Sequence, residues 1–146
     1  ITISKGEDIV VSLKNRSILY IDDHSASRHV MELLLTEIMD ASNVTLFSDS
    51  KNIISRLEEL DDNFDLIFLD INISPNDGFW ILEQLRQHEK YSPATIIAVT
   101  ATIISEKLTA IRQAGFDGLI MKPLNYETFP SFLEKILIGE ADWKEL

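Results

Sequence analysis

Short apolar runs alternate five times with stretches of helical periodicity along this chain of 146 residues. The apolar runs, which we interpret as strands, are 17-SILYID-22, 43-NVTLFS-48, 65-DLIFLD-70, 94-ATIIAVT-100 and 117-DGLIMK-122. Strands that alternate with helices favour a parallel sheet covered by helices on both faces. We therefore predict an α/β fold, a doubly wound sheet of five parallel strands.

Each helical stretch places its apolar residues on one face, and we expect these faces to line the core. The expected stripes are Val30, Leu34 and Ile38; Ile53, Leu57 and Leu60; Phe79, Leu82 and Leu85; Ile104, Leu108 and Ile111; and Phe129, Phe132, Leu133, Ile136 and Leu137. Pro130 fits if the last helix starts near Thr128, because the first turn tolerates proline. A possible extra strand, 9-IVVSL-13, and the terminal 139-GEADWKEL-146 fall outside the five units.

Composition excludes several classes of protein. A net charge of −11 argues against nonspecific nucleic-acid binding, which needs a basic surface. The absence of cysteine excludes disulfides, thiolate nucleophiles and thiolate metal sites. The apolar runs are too short to span a membrane, and charges at Lys5, Glu7 and Asp8 interrupt any signal peptide. We expect a cytoplasmic protein that binds neither membranes nor nucleic acid.

Aspartates follow two of the predicted strands. Asp22 and Asp23 come at the end of the first strand, and Asp70 ends the third. In the flavodoxin-like order 2-1-3-4-5 these strands are neighbours at the switch point, where such sheets bind ligands. Carboxylates so close raise each other's pKa unless a cation is present. The pattern therefore predicts a site for a hard divalent cation, with magnesium as the natural occupant.

Two further strands end in residues that can act on an anion. The fourth ends at Thr100, and the fifth ends at Lys122, which Pro123 follows. Proline stiffens the turn and could hold the ammonium group over the acidic pocket. A lone threonine at a strand end is usually structural, and a lone lysine there is most often solvated. The prediction therefore depends on their joint placement at one edge. His24, His29 and His88 show no ligand spacing, and we expect them on the surface, with His24 bordering the pocket.

Four segments together resemble the response-regulator receiver domain over residues 16–138. They are 19-LYIDD-23, 66-LIFLDINISPNDG-78, 97-IAVTA-101 and 114-AGFDGLIMKPL-124. The resemblance leaves residues 1–15 as an N-terminal extension and 139–146 as a C-terminal tail. It implies that Asp70 is the phosphoacceptor and that Thr100 and Lys122 contact the phosphoryl group. The implied magnesium ligands are Asp22, Asp23, Asp70 and the backbone carbonyl of Asn72. It also implies that the Asn72 side chain faces the attacking water.

The resemblance further implies a two-component signalling switch. A histidine kinase or histidine phosphotransfer protein would phosphorylate it, and a downstream effector would read the face of the fourth helix, fifth strand and fifth helix. That face could also support a homodimer. The domain would catalyse only its own phosphorylation and dephosphorylation. Two departures concern Leu119, which stands at a position that is often aromatic in the family, and Ser74, where proline is common.

Two alternatives stay open at this point. A magnesium-dependent phosphohydrolase with an aspartate nucleophile is disfavoured, because the acid that follows such a nucleophile by two residues is Asn72 here. A receiver-shaped interaction module that never carries phosphate is disfavoured by the complete set of acids, hydroxyl and lysine.

Overall fold

The computed structural model describes residues 2–4, 10–101 and 104–139, with side chains from residue 12 onward. Within these ranges, five parallel strands form the central sheet: β3 (Ser17–Ile21), β4 (Asn43–Phe47), β5 (Leu66–Asp70), β6 (Thr95–Thr100) and β7 (Gly118–Met121). Across the sheet their order is β4-β3-β5-β6-β7. When the strands of this sheet alone are numbered along the chain, the order is 2-1-3-4-5. The structure thus confirms the predicted α/β fold and the predicted strand order.

A helix follows each strand of the sheet. The helices are α1 (Ser25–Leu33), α2 (Ile53–Leu60), α3 (Gly78–Gln87), α4 (Ser105–Ala114) and α5 (Phe129–Leu137). A π-helical segment, Leu34–Ile38, continues α1. Thr128 caps α5 and Pro130 lies in its first turn, as predicted.

Two hydrophobic cores lie on the two faces of the sheet, because successive strand residues point to opposite sides. One contains Leu19, Ile67 and residues of α2, α3 and α4. The other contains Ile18, Phe68 and residues of α1 and α5. The helices therefore cover both faces, and the strand ends between them remain available to polar side chains.

Four residues that the helical periodicity placed in the core are exposed: Ile38, Leu60, Ile104 and Phe132. Ile38 ends the π-helical segment, whose wider turn shifts the buried face. Leu60 is the last residue of α2, and Ile104 precedes α4 with an extended backbone. Phe132 lies outside the face of α5 that buries Phe129, Leu133 and Ile136, so the predicted stripe was too broad.

Two N-terminal strands form a separate antiparallel hairpin. β1 (Thr2–Ser4) pairs with β2 (Val10–Ser12), which is the extra strand that 9-IVVSL-13 suggested. The next residue, Leu13, is wholly buried in the core, and its N–H donates to the carbonyl of Met39 at 2.8 Å. The last residue of this segment therefore packs with the sheet, although the predicted extension includes it. The predicted tail lies outside the described residues except for Gly139.

Candidate functional site

Asp22 follows β3 directly and is wholly buried. Its carboxylate is held on two sides: the Tyr20 hydroxyl donates to Oδ2, and the His24 N–H donates to Oδ1 at 2.8 Å. Arg28 Nη1 donates to the Asp22 carbonyl oxygen at 2.7 Å. Because a buried carboxylate is costly unless it is hydrogen-bonded, these contacts explain how the strand can end on an acid.

Asp70 is the last residue of β5 and is 2% exposed. The N–H of Asn72 donates to its Oδ1 at 2.9 Å. Burial raises the pKa of Asp70, and the negative charge of Asp22 raises it further. The site thus holds two buried carboxylates that repel each other, as the sequence pattern predicted.

Gly78, at the start of α3, lies directly against the backbone that carries Asp70. A Cβ at this position would come 2.9 Å from the Asp70 carbonyl oxygen and 2.9 Å from Ile71 Cα. The Gly78 N–H donates to the Ile71 carbonyl at 3.0 Å. A glycine is required here because any side chain would push the helix away from the strand end.

Lys122 joins the two buried acids. Its Nζ lies 2.6 Å from Asp22 Oδ2 and 3.1 Å from Asp70 Oδ2, with 11% of its side chain exposed. Burial alone would lower the pKa of Lys122, but its bonds to both carboxylates outweigh burial and raise it. Burial alone would likewise raise the pKa of Asp22, yet the bonds from Lys122 and Tyr20 lower it. The peptide bond between Lys122 and Pro123 is cis.

The exposed rim of the site begins with Asp23 and His24. His24 Nδ1 lies 2.9 Å from Asp23 Oδ1, 3.1 Å from Asp22 Oδ1 and 3.8 Å from Asp70 Oδ2. One donor atom from each of these four residues falls within 4.8 Å of the others. Carboxylate oxygens are the ligands that hard divalent cations prefer, so this donor set fits the predicted magnesium ion.

Thr100 and Asn72 complete the predicted set. Thr100 is wholly buried at the end of β6, one residue beyond Val99, which pairs with Asp70 across the sheet. Its carbonyl accepts the N–H of Lys122 at 2.8 Å. Asn72 is exposed, and its Oδ1 accepts a hydrogen bond from Lys107 Nζ, in α4, at 2.5 Å.

The structure therefore brings Asp22, Asp70 and Lys122 into direct contact. Asp23 reaches this group through the His24 ring, and Asn72 reaches it through its backbone N–H. Thr100 lies at the same edge of the sheet, on the strand next to Asp70.

Sequence reasoning missed four contributors: Tyr20, His24, Arg28 and Lys107. Strand periodicity could have found Tyr20, because residues two apart point to the same side of a strand. His24 is exposed and borders the pocket as predicted, but its ring also contacts all three carboxylates. His29 is exposed, as predicted. His88 was also predicted to lie on the surface, but it is half-buried, with its ring centroid 4.4 Å from that of Tyr91.

The two positions that depart from the family pattern are Leu119, which is buried, and Ser74, which lies in the loop after β5. Leu119 is 8% exposed and packs in the core that contains residues of α4. The peptide bond between Ser74 and Pro75 is cis, and the Ser74 carbonyl accepts the N–H of the buried Ser50 at 3.0 Å. The Ser50 hydroxyl also donates to the Asn76 carbonyl at 2.7 Å, so the loop after β5 is tied to the segment after β4.

In the part of the chain that the structure describes, every helix is too short or too polar to cross a lipid bilayer.

The sequence profile of the response regulator receiver domain matches residues 18–134. Chemotaxis protein CheY-3 of Vibrio cholerae is 29% identical over 123 residues, which cover 84% of this chain and 92% of that protein.

A fungal relative is longer than this chain. Stress response regulator protein 1 of Candida tropicalis is 30% identical over 115 residues, covering 79% of this chain but 43% of that protein. Among solved structures, the chemotaxis response regulator CheY4 of Vibrio cholerae has a TM-score of 0.72 at 23% identity, covering 83% of this chain and 98% of its own. That structural likeness supports the fold, and the profile match sets the family. The chain belongs to the response regulator receiver domains of two-component signalling.

Proposed function

We propose that this domain is a phosphorylation-controlled switch in which Asp70 accepts a phosphoryl group from a histidine kinase or a histidine phosphotransfer protein. The observation that supports it is the contact of one lysine with two buried acids: Lys122 Nζ lies 3.1 Å from Asp70 and 2.6 Å from Asp22. A nucleophilic carboxylate beside a fixed ammonium group suits phosphoryl transfer, which depends on positioning and charge neutralisation.

In the proposed reaction, a carboxylate oxygen of Asp70 bonds to phosphorus as the bond from phosphorus to the donor's imidazole nitrogen breaks. The product is an acyl phosphate on Asp70, and the donor histidine leaves neutral after taking up a proton. Lys122 pairs with the added negative charge, and Thr100 donates a hydrogen bond to a phosphoryl oxygen.

Asp22, Asp23, Asp70 and the carbonyl of Asn72 would hold the Mg²⁺ ion. When bound, Mg²⁺ supplies positive charge that offsets the carboxylates and the incoming phosphoryl oxygens. The hydrogen bonds that Asp22 accepts from Lys122, Tyr20 and His24 lower its pKa against the effect of burial, so they keep this ligand ionised and oriented before any cation arrives.

The signal would leave through the face made by α4, β7 and α5. The large apolar side chains that are exposed in this part of the fold include Ile104, Met121 and Phe132. A new dianionic group at Asp70 forms charge-assisted hydrogen bonds that bias a two-state element, and an effector or a second copy of the domain would read the result. The cytoplasmic location stays a prediction.

Intact-mass spectrometry after incubation with acetyl phosphate and MgCl₂ tests the proposal. The expected result is one added phosphoryl group on the wild type and none on Asp70→Asn. Asp40→Asn is the matched control, because Asp40 is exposed and its left-handed φ of 65° also suits asparagine. It should be labelled like the wild type.

Three other results would reject the proposal. A wild type that stays unlabelled with magnesium present would support the interaction module instead. Labelling that persists in Asp70→Asn would move the acceptor elsewhere. Steady turnover of a small phosphate ester would indicate the phosphohydrolase.

A further inference from the structure

The His24 ring lies among the three carboxylates of the site rather than beside them. Its Nδ1 is 2.9 Å from Asp23 Oδ1, 3.1 Å from Asp22 Oδ1 and 3.8 Å from Asp70 Oδ2. Adjacent ligands around a six-coordinate cation with bonds of about 2.1 Å lie about 3.0 Å apart, since they meet at right angles. The distances from Nδ1 to Asp23 and to Asp22 match that spacing, and the 3.8 Å distance to Asp70 is longer.

The backbone holds His24 in this place from both sides. Its N–H donates to Asp22 Oδ1 at 2.8 Å. Its carbonyl accepts the N–H of Arg28 at 3.1 Å, in the first turn of α1. His24 itself has an extended backbone, with φ −90° and ψ 114°. The backbone that carries the ring is thus held where a strand end and a helix start meet.

The His24 side chain is 66% exposed, unlike those of Asp22 and Asp70. This side of the site therefore faces solvent, which lets a bound cation keep water on a remaining position, as Mg²⁺ usually does. An imidazole adds no negative charge to the three carboxylates. It changes the chemical character of the donor set without changing its formal charge.

We propose that His24 Nδ1 is a further protein ligand of the cation, beside the three carboxylates and the Asn72 carbonyl, and that it shifts the site's preference from Mg²⁺ toward divalent transition cations. Carboxylates and water suit Mg²⁺ and Mn²⁺, whereas imidazole suits Ni²⁺ and Zn²⁺. The inference rests on the metal site of the proposed function, and it does not depend on phosphoryl transfer.

A competing role for His24 is hydrogen bonding alone, with Nδ1–H donating to the carboxylates. Asparagine separates the two roles, because its amide also donates hydrogen bonds but its nitrogen is not a metal ligand. His29→Ala is the matched control: this second histidine is exposed, lies five residues further along in α1, and no contact joins it to the carboxylates in the described structure.

Calorimetric titration with MgCl₂ and with NiCl₂, on protein that carries no polyhistidine tag and receives no phosphoryl donor, measures the preference. Because the three carboxylates alone can bind Ni²⁺ and Mg²⁺ with different strength, the informative quantity is the change in the ratio of the two dissociation constants. We expect His24→Ala and His24→Asn to weaken Ni²⁺ binding by about tenfold or more and Mg²⁺ binding by less than about threefold. His29→Ala should change neither.

Pulsed electron paramagnetic resonance of bound Mn²⁺ gives a second readout. The expected result is a coupling to one ligand nitrogen in the wild type and in His29→Ala, and its loss in both His24 variants. Circular dichroism spectra that match the wild type confirm that the variants are folded.

The inference is overturned if His24→Ala weakens both cations equally, if it weakens neither, or if His24→Asn keeps the wild-type ratio. Acetyl phosphate labelling of the same preparations separates this inference from the proposed function. A protein whose Ni²⁺ binding needs His24 but which takes no phosphoryl group keeps the inference and rejects the function. A labelled protein with an unchanged metal ratio does the opposite.

Discussion

The Tyr20 hydroxyl donates a hydrogen bond to Oδ2 of Asp22, and both side chains are wholly buried. Burial, followed by the bond to Asp22, raises the pKa of Tyr20, so this phenol stays protonated and keeps its role as donor. The same carboxylate oxygen contacts Lys122. Asp22 is therefore oriented from inside the core as well as from the site.

Tyr20→Phe should lower the free energy of unfolding by about 1–2 kcal/mol, because it removes the donor to a buried charged acceptor and keeps the ring. Urea denaturation measures the change. Tyr126→Phe is the control, since Tyr126 is exposed, and it should be neutral. A Tyr20→Phe variant as stable as the wild type would show that Lys122 and His24 suffice to hold Asp22.

Asp70→Asn should stabilise the fold at pH 7 when divalent cations are absent, because asparagine carries no buried charge for Asp22 to repel. The folded-state pKa of Asp70 is raised, so stability from its protonated form is complete below the ordinary pKa of 3.8 and is lost as pH rises through the folded-state pKa. Asparagine cannot ionise and escapes this loss. Denaturation from acid to neutral pH should show an advantage that grows with pH.

Asp22→Asn should do the reverse and destabilise the fold at pH 7, by about 3 kcal/mol, because it leaves buried Lys122 with one charged partner fewer. The pKa of Asp22 is lowered, so its contribution is present above the ordinary pKa of 3.8 and is lost as pH falls through the folded-state pKa. The same denaturation series tests this sign. Equal effects of the two substitutions would contradict the opposite pKa directions of the pair.

Gly78→Ala should destabilise the fold by about 2 kcal/mol and weaken Mg²⁺ binding, since the new methyl group meets backbone atoms of Asp70 and Ile71. Gly118→Ala is a useful comparison, because its methyl group would meet the buried Ile136 side chain at the end of β7 that lies away from the site, so it should destabilise the fold without weakening Mg²⁺ binding. Denaturation and Mg²⁺ titration of both variants measure the difference. Normal Mg²⁺ binding by Gly78→Ala would mean that the strand end tolerates displacement of α3.

Lys107→Ala should shorten the lifetime of the proposed Asp70 phosphoryl group about fivefold, which corresponds to about 1 kcal/mol of the hydrolysis barrier. Lys107 holds the Asn72 amide at the rim, and its loss frees that side chain and opens a path for water. Decay of the labelled mass after removal of acetyl phosphate measures the lifetime. Lys107→Arg should restore most of it, and Lys135→Ala on α5 should leave it unchanged.

The fold could be predicted from the sequence because the apolar runs and the helical periodicity between them were both clear. Buried parallel strands read as continuous apolar runs, and the acids that end them could be placed at one edge by topology alone. The predicted contact of Lys122 with the acids needed only the strand order. The Tyr20 contact was also within reach of strand periodicity, because Tyr20 and Asp22 are two residues apart and point to the same side of the chain.

Other features depend on tertiary distances that no local pattern carries. The exposure of Ile38 follows from a π-helical segment, which shifts the helical period without any proline or glycine to mark it. The bond from Lys107 to Asn72 joins residues 35 positions apart, on a helix and a loop. The burial of Leu13 depends on where the chain enters the fold beside Met39.

Asp70 is almost inaccessible, while His24 and Asn72, which contact it, are exposed. A macromolecule that delivers a group to this acid meets those two side chains before it meets the acid itself. Selection for a new donor can therefore act on outward-facing residues whose replacement leaves the strands and the lysine bridge intact. In the proposed function, the residues that hold the acid in place would therefore differ from those that a donor protein touches first.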